Sequence, residues 1–201
     1  MKQFIVSAVL FFACMSANAA YIDSWRGEAA LKKSGAAEWA RLEGEDKIRL
    51  GSGDELRTSR ASTVEILMDD GSRVKLAPVS FFKLTAEGKD SVSLGLYYGR
   101  VRSWVKKFSK KFEVRTPSAV CAVRGTDFMV SADEGGNSRV EVFEGSVLAG
   151  DSKGNSSLVR EGQFAEMPNG GSMGAPGHNP NDSNNMDSSV GDPRQQARSI
   201  L

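Results

Sequence analysis

A short polar stretch decides the fold of this chain: residues 123–128, with the sequence VRGTDF, which lie between two valine-rich runs. Before it stands FEVRTP, residues 112–117, and after it VEVFEGSV, residues 140–147. In both flanks apolar and polar residues alternate, which is typical of half-buried β-strands. No rule of core packing requires Arg, Gly, Thr and Asp in this order, so the order itself carries information.

The rest of the body also predicts β-structure. Residues 64–68 and 74–76 alternate in the same way, and DDGS at 69–72 offers an Asp-Gly pair for a tight two-residue hairpin turn. Further short strands are predicted at residues 29–33, 38–42, 54–58, 80–85, 92–96, 100–105, 111–116, 126–132, 140–142 and 163–167. No 3.6-residue pattern is sustained over three turns, so helices are not predicted.

These patterns assign the chain to the all-β class. We expect a single domain over residues 20–167, built of many short, mostly antiparallel strands. Such strands suit a sandwich, a barrel or a rolled sheet; we favour a rolled sandwich or solenoid-like sheet, although periodicity alone does not separate them. From residue 168 the composition changes to Gly, Asn, Ser, Asp and Pro, which predicts a disordered tail over residues 168–201.

The first 19 residues have the pattern of a secretory signal. Lys2 precedes an apolar run over residues 4–15, and the small-x-small sequence ANA at 17–19 predicts cleavage after Ala19. An alternative takes FFAC at residues 11–14 as a lipoprotein signal with Cys14 as the lipidated residue, but Phe stands there where Leu and a small residue are usual. We favour the cleaved form. It predicts a periplasmic or secreted protein, without a membrane span.

Charge and cysteine content exclude a general polyanion binder and a fold that depends on an intramolecular disulfide. The chain has 26 basic and 25 acidic residues, and the predicted signal removes one basic residue, so the mature form is balanced and is not a general polyanion binder. Of its 2 cysteines, Cys14 lies in the signal. Cys121 is therefore left without an intramolecular partner, and we favour a buried hydrophobic role for it over an intermolecular disulfide.

The ingredients of a catalytic site are not evident in the sequence. The only histidine, His178, falls in the predicted tail, and Cys121 has no local partner. The sequence DDG at 69–71 lacks the further oxygen ligands of a calcium loop. We therefore expect no enzyme activity, no metal and no cofactor.

Residues 100–115 hold seven basic side chains and one acid, interleaved with aromatic residues. Nucleic acid is not expected as a partner of a secreted chain, so anionic lipid, lipopolysaccharide or cell-wall polymer is the more accessible ligand, and the segment can also contact an envelope protein. This candidate interaction surface consists of Arg100, Arg102, Trp104, Lys106, Lys107, Lys110 and Lys111. A plainer interpretation, which we favour, is a hairpin with Trp104 and Phe112 facing the core and the lysines in its turn.

The ordered set of motifs from about residue 53 to residue 165 resembles the FecR domain of bacterial envelope proteins. Its parts are GDxLxT at 53–58, DGSxVxLxPxS at 70–80, GxV at 99–101, VRTP at 114–117, VRGTDF at 123–128, VxVxxGxV at 140–147 and GQ at 162–163. Within VRGTDF, Arg124, Gly125, Thr126 and Phe128 form the family motif. We expect structural roles for them: Gly125 in a tight bend, and Arg124 in hydrogen bonds to backbone carbonyls.

The resemblance implies a regulatory role. Proteins of this family include inner-membrane regulators that relay a signal from an outer-membrane transporter to a cytoplasmic sigma factor, with the FecR domain in the periplasm. This chain is expected to lack both the sigma-binding segment and the span. The implied function is a periplasmic, non-catalytic binding module for an envelope protein, such as a sensor, transporter or assembly factor. The alternative is a cell-wall or carbohydrate binding protein.

Overall fold

The computed structural model describes residues 20–44, 47–87, 91–107 and 111–178. Within them the chain forms β1 (Ala20–Arg26), β2 (Ala29–Lys32), β3 (Ala40–Arg41), β4 (Ile48–Leu50), β5 (Glu55–Thr58), β6 (Thr63–Met68), β7 (Arg73–Leu76), β8 (Ser80–Glu87), β9 (Ser91–Trp104), β10 (Lys111–Arg115), β11 (Ala119–Val123), β12 (Asp127–Ala132), β13 (Ser138–Glu144), β14 (Ser146–Asp151), β15 (Ser156–Arg160), β16 (Gln163–Met167) and β17 (Gly177–His178). The all-β prediction is confirmed. In this part of the chain no helix is long and apolar enough to cross a bilayer.

The strands form two layers that share β9. The first layer has the order β4-β1-β6-β7-β9-β12-β13-β16-β17. The second has the order β3-β2-β5-β8-β9-β10-β11-β14-β15. All these pairings are antiparallel except β9 with β10, which is parallel. Successive hairpins alternate between the layers, so the chain forms a rolled, open sandwich.

β9 passes from one layer to the other at Gly99. The sequence predicted two strands here, at 92–96 and 100–105, but the structure has one strand of 14 residues that bends instead of breaking. The bend needs a glycine, because its φ is +97° and a Cβ would lie 2.5 Å from the Cα of Ser80. Ser80 Oγ accepts a hydrogen bond from Arg100 N at 3.1 Å, which fixes the crossing.

One hydrophobic core fills the space between the layers. Alternate residues of β6, β10, β11 and β13 point into it, as period-2 alternation predicts. The rings of Phe112 on β10 and Phe128 on β12 meet edge to face across the layers, with centroids 6.4 Å apart. Each such buried ring contributes roughly 1.5–3 kcal/mol of hydrophobic stabilisation.

The turn between β6 and β7 is longer than the sequence suggested. Met68 N donates to Ser72 O at 2.9 Å, and Gly71 N donates to Met68 O at 3.0 Å. The loop therefore has three residues, Asp69, Asp70 and Gly71, where two were predicted. Asp70 accounts for the difference, because its carboxylate accepts a hydrogen bond from Ser72 N at 2.7 Å and closes the extra residue into the turn.

Residues 168–178 differ from the predicted disordered tail. Asn169 N donates to Asn137 Oδ1 at 3.0 Å, Met173 N donates to Asp151 Oδ2 at 2.8 Å, and β17 pairs with β16. Polar composition suggested a solvated segment, but side-chain acceptors on two hairpin loops hold its backbone. Residues 179–201, the remainder of the predicted tail, lie outside the described residues, as does the predicted signal at 1–19.

Asp151 makes the attachment of this segment dependent on pH. Its carboxylate accepts hydrogen bonds from Asn155 Nδ2, Met173 N and Lys153 N, which lower its pKa to about 2. A lowered pKa stabilises the fold above the unfolded-state pKa of about 3.9, and this stabilisation is lost as the pH falls towards about 2. In acid denaturation followed by circular dichroism, we expect Asp151→Asn to lose less stability than the wild type between these values. Asp70→Asn is the matched control. If the stability of Asp151→Asn and that of the wild type changed equally with pH, the assignment of this dependence to Asp151 would be contradicted.

Candidate functional site

The family motif and the end of β9 meet at one cleft. Val105 N donates to Thr126 O at 2.9 Å, and Trp104 stands opposite Asp127 in the pairing of β9 with β12. We call this cleft, of about 230 Å³, the motif cleft; it is lined by Trp104, Val105, Lys106, Lys107, Gly125, Thr126, Asp127 and Glu144. Residues 104–107 of the basic segment and the motif, which the sequence offered separately, therefore share one site.

Gly125 allows the two sides of the motif cleft to touch. Its φ is +66°, and a Cβ there would lie 2.7 Å from the Cα of Lys107. A side chain would therefore push the end of β9 away from the loop. The backbone of Lys106 is held on its other side, because Lys106 N donates to Ser72 Oγ at 3.1 Å. The positions of Lys106 and Lys107 are thus fixed by the fold.

Thr126, and not Arg124, anchors the motif loop. Thr126 is buried, and its hydroxyl donates to Ser146 O at 2.9 Å, which ties the loop to the start of β14. The side chain of Arg124 is exposed and makes no hydrogen bond with the described residues, contrary to the role expected from the sequence. The bend at Gly125 turns the side chain of Arg124 outwards, whereas the ring of Phe128 is fully buried in the core.

An ion pair supports the floor of the motif cleft. Arg102 Nε lies 3.0 Å from Asp127 Oδ1 and its Nη2 lies 3.2 Å from Oδ2, a two-pronged arrangement. Both side chains are largely withdrawn from solvent, with exposed fractions of 14% and 6%. The guanidinium also lies 4.2 Å from the ring centroid of Phe143 and 4.9 Å from that of Trp104. Arg102 is therefore a structural residue of the site.

The predicted interaction surface is not continuous in the structure. Trp104 is buried and Arg102 is engaged with Asp127, so neither offers a free contact. Lys106 and Lys107 are exposed at the motif cleft, Lys111 is exposed on β10 of the other layer, and Lys110 lies outside the described residues. The segment is split because β9 ends in one layer and β10 begins in the other.

Arg100 lines a second cleft, at the opposite end of the same β9 segment. This cleft has a volume of about 490 Å³ and is lined by Arg100, Ser131, Asp133, Asn137, Ser138, Arg139 and Glu166, beside Gly99, Ala132 and Pro168. Arg139 is already bound there, with Glu166 at 2.9 Å and the Phe164 ring centroid at 3.9 Å. The exposed side chain of Arg100 has no ion-pair partner among the described residues.

Residues 54–148, from the start of β5 into β14, match the family model described as FecR protein. The chain carries a FecR domain. The match includes the motif loop and both faces of the motif cleft, so the cleft belongs to the FecR domain itself. No curated protein matches the chain.

Two crystal structures of a candidate anti-sigma factor from Parabacteroides distasonis ATCC 8503 share the fold of the FecR domain. Each superposes with a TM-score of 0.56 at 20% identity and covers 64% of this chain. The match spans 61% of the length of that protein. At this identity the likeness concerns the fold alone.

Cys121 and His178, the residues that a cysteine-based reaction would need, are poorly suited to it. Cys121 is fully buried in β11, and its burial, with a smaller contribution from the charge of Glu113, raises the pKa of the thiol to about 12. A thiol with this pKa is not a nucleophile at neutral pH. His178 is exposed on β17. Within the described residues, no group of three His, Cys, Asp or Glu side chains is placed to hold a metal ion.

Burial also predicts how Cys121 reacts. In the native FecR domain we expect dithionitrobenzoate to leave Cys121 unmodified for hours, and to label it at once in guanidinium chloride. Ser152→Cys in a Cys121→Ser background is the control, because residue 152 is exposed and its thiol should react at once in the folded protein. Fast labelling of native Cys121, or a covalent dimer formed through it, would contradict this prediction and would favour an intermolecular disulfide instead.

Proposed function

We propose that this chain is a periplasmic, non-catalytic binding module that acts in envelope signalling or assembly by contacting another envelope protein. The FecR domain supports a regulatory role, and the shared fold with a candidate anti-sigma factor supports a role in signalling. The signal at residues 1–19, with cleavage after Ala19, supports the compartment.

The motif cleft is the observation that carries this proposal. Its volume of about 230 Å³ is below the about 300–1,000 Å³ of typical small-molecule pockets, and charged side chains are among its lining residues. Its exposed lysines, Lys106 and Lys107, stand on a rigid frame formed by Gly125, Thr126 and the Arg102–Asp127 pair. Exposed charges on a fixed backbone steer and orient a protein partner of opposite charge.

The alternative function, binding of cell wall or anionic glycan, has weaker support. It relied on exposed tryptophans, but Trp104 is buried, and Trp25 and Trp39 are half-buried. The 490 Å³ cleft is large enough for a sugar, but no aromatic residue lines it to stack on a sugar face.

Charge reversal at the motif cleft tests the proposal. In cells of the native host, we expect Lys106→Glu with Lys107→Glu to reduce chemical crosslinking to one protein partner by about tenfold or more, since rim charges set encounter and register. Lys153→Glu with Arg160→Glu is the matched control, because both side chains are exposed on the β14–β15 hairpin. Unchanged crosslinking in the first variant, or crosslinks to glycan alone, would contradict the proposal.

A further inference from the structure

A second exposed surface lies on the outer face of the other layer, away from the motif cleft. It is formed by Trp39 before β3, Arg57 on β5, Phe81 on β8 and Tyr97 on β9, and we call it the arginine–aromatic face. The pairing of β5 with β8 sets Arg57 directly opposite Phe81, and Phe81 in turn stands opposite Tyr98. The backbone register of three strands therefore fixes the face.

Arg57 is held between two rings. Its guanidinium carbon lies 4.3 Å from the ring centroid of Trp39 and 4.5 Å from that of Phe81. Phe81 also stacks on Tyr97, with centroids 4.6 Å apart and an angle of 24° between the planes. Two rings that hold a guanidinium reduce the entropy it would lose on binding a ligand, while its N–H groups remain free to donate.

The charge of Arg57 is unmatched among the described residues. Two neighbouring cations have partners on the same face: Arg41 pairs with Glu28 at 2.7 Å, and Lys83 pairs with Glu55 at 3.1 Å. Arg57 has neither an ion pair nor a hydrogen bond with any of the described residues. Glu38, next to Trp39 in the sequence, is exposed and forms no ion pair with Arg57.

Exposed apolar side chains occur in or next to the strands that carry this face. Tyr97 is 45% exposed and Val79, two residues before Phe81, is 48% exposed, which is unusual for large apolar side chains in this domain. Val79 also has a φ of +53°, a conformation that a β-branched residue rarely adopts. Its apolar side chain is therefore held towards solvent at a cost in backbone strain.

We propose that the arginine–aromatic face binds an acidic peptide segment of a partner protein. A carboxylate of that segment would accept two hydrogen bonds from Arg57, and a neighbouring apolar side chain would cover Phe81 and Tyr97. The charge of Arg57 favours an anion, and the bidentate geometry of guanidinium suits a carboxylate. Trp, Tyr and Arg are also the residues that most often carry the binding energy of protein interfaces. This surface is independent of the motif cleft.

Nuclear magnetic resonance with two synthetic peptides tests this proposal on the mature chain. The probe is acetyl-Glu-Val-Glu-Tyr-Glu-Val-Glu-amide, and its neutral match replaces every Glu by Gln. We expect the acidic peptide to shift the Nε–H signal of Arg57 and the ring signals of Phe81 and Tyr97, and to bind about tenfold more tightly than the neutral one.

Substitutions separate this face from other basic residues. Arg57→Lys keeps the charge but loses the bidentate fork, so affinity should fall about tenfold with the spectrum otherwise unchanged. Arg115→Lys, at an exposed position on β10, should bind as the wild type does. Equal binding of both peptides, shifts at Lys106 and Lys107 instead of Arg57, or shifts at Arg57 with oligogalacturonate but not with the acidic peptide would overturn the proposal.

Discussion

Gly99→Ala is expected to cost this domain about 3–5 kcal/mol, a large share of the about 5–15 kcal/mol that stabilises a typical domain. The added Cβ would lie 2.2 Å from Ser80 Oγ and 2.5 Å from Ser80 Cα. Ser80 has little room to retreat, because its N donates to Thr58 Oγ1 at 2.9 Å and its Oγ donates to Ala77 O at 2.9 Å. The methyl group would therefore force the two layers apart where β9 joins them.

Gly154→Ala is the matched control for this experiment. Its φ of +87° resembles that of Gly99, but a Cβ there would meet nothing within 4 Å. Only the conformational penalty of about 1–2 kcal/mol should remain. Guanidinium denaturation of both variants separates the two contributions. Equal losses of unfolding free energy would mean that the contact with Ser80 does not matter.

Asp127→Ala is expected to cost about 3–5 kcal/mol, because it leaves the guanidinium of Arg102 withdrawn from water without its carboxylate. Arg102 is 14% exposed and lies against Phe143, so it cannot simply turn into solvent without losing that packing. The double variant, Arg102→Ala with Asp127→Ala, should lose less stability than the sum of the two single losses. The two changes should show a coupling energy of about 1.5–3 kcal/mol.

The pair Arg41–Glu28 provides the comparison. Its Nη2–Oε1 distance is 2.7 Å, but both side chains are 62% exposed. An exposed pair of this kind should show a coupling of about 0.2–1 kcal/mol. Double-mutant cycles for both pairs, measured by urea denaturation, decide the matter. Similar couplings would show that burial at the motif cleft does not strengthen the Arg102–Asp127 pair.

Local patterns in the sequence predicted most strands and their inward faces. Alternation identified β5, β6, β7, β10, β12 and β16, since period 2 is a property of a single strand. It did not predict the sharing of β9 between layers, because that depends on how Gly99 packs against Ser80, 19 residues earlier in the chain. Alternation tells which side of a strand is buried, but not which layer the strand joins.

The same limit explains the basic segment. Its seven cations looked like one surface because they are close in sequence. The crossing of β9 and the return of β10 in the other layer then placed Arg100, Lys107 and Lys111 in three different surroundings. The pairing of Arg102 with Asp127 had no signal in the sequence, because it depends on the register of β9 with β12.

The arginine–aromatic face shows the converse. Trp39, Arg57, Phe81 and Tyr97 are far apart in the sequence, and none of them stood out there as a site residue. Strand pairing brings them within ring-stacking distance. The surfaces proposed here are therefore built across strands, and composition within a single segment is a poor guide to them.

Site-specific photocrosslinking in cells of the native host tests the central claim most directly. A benzophenone amino acid would replace Lys107 at the motif cleft, and Lys153 on the β14–β15 hairpin would serve as the reference position, since both side chains are exposed. Mass spectrometry would then identify the adducts. We predict that position 107 captures one envelope protein that position 153 does not capture. Identical adducts at both positions, or adducts with glycan alone at position 107, would contradict a protein-binding role for this cleft.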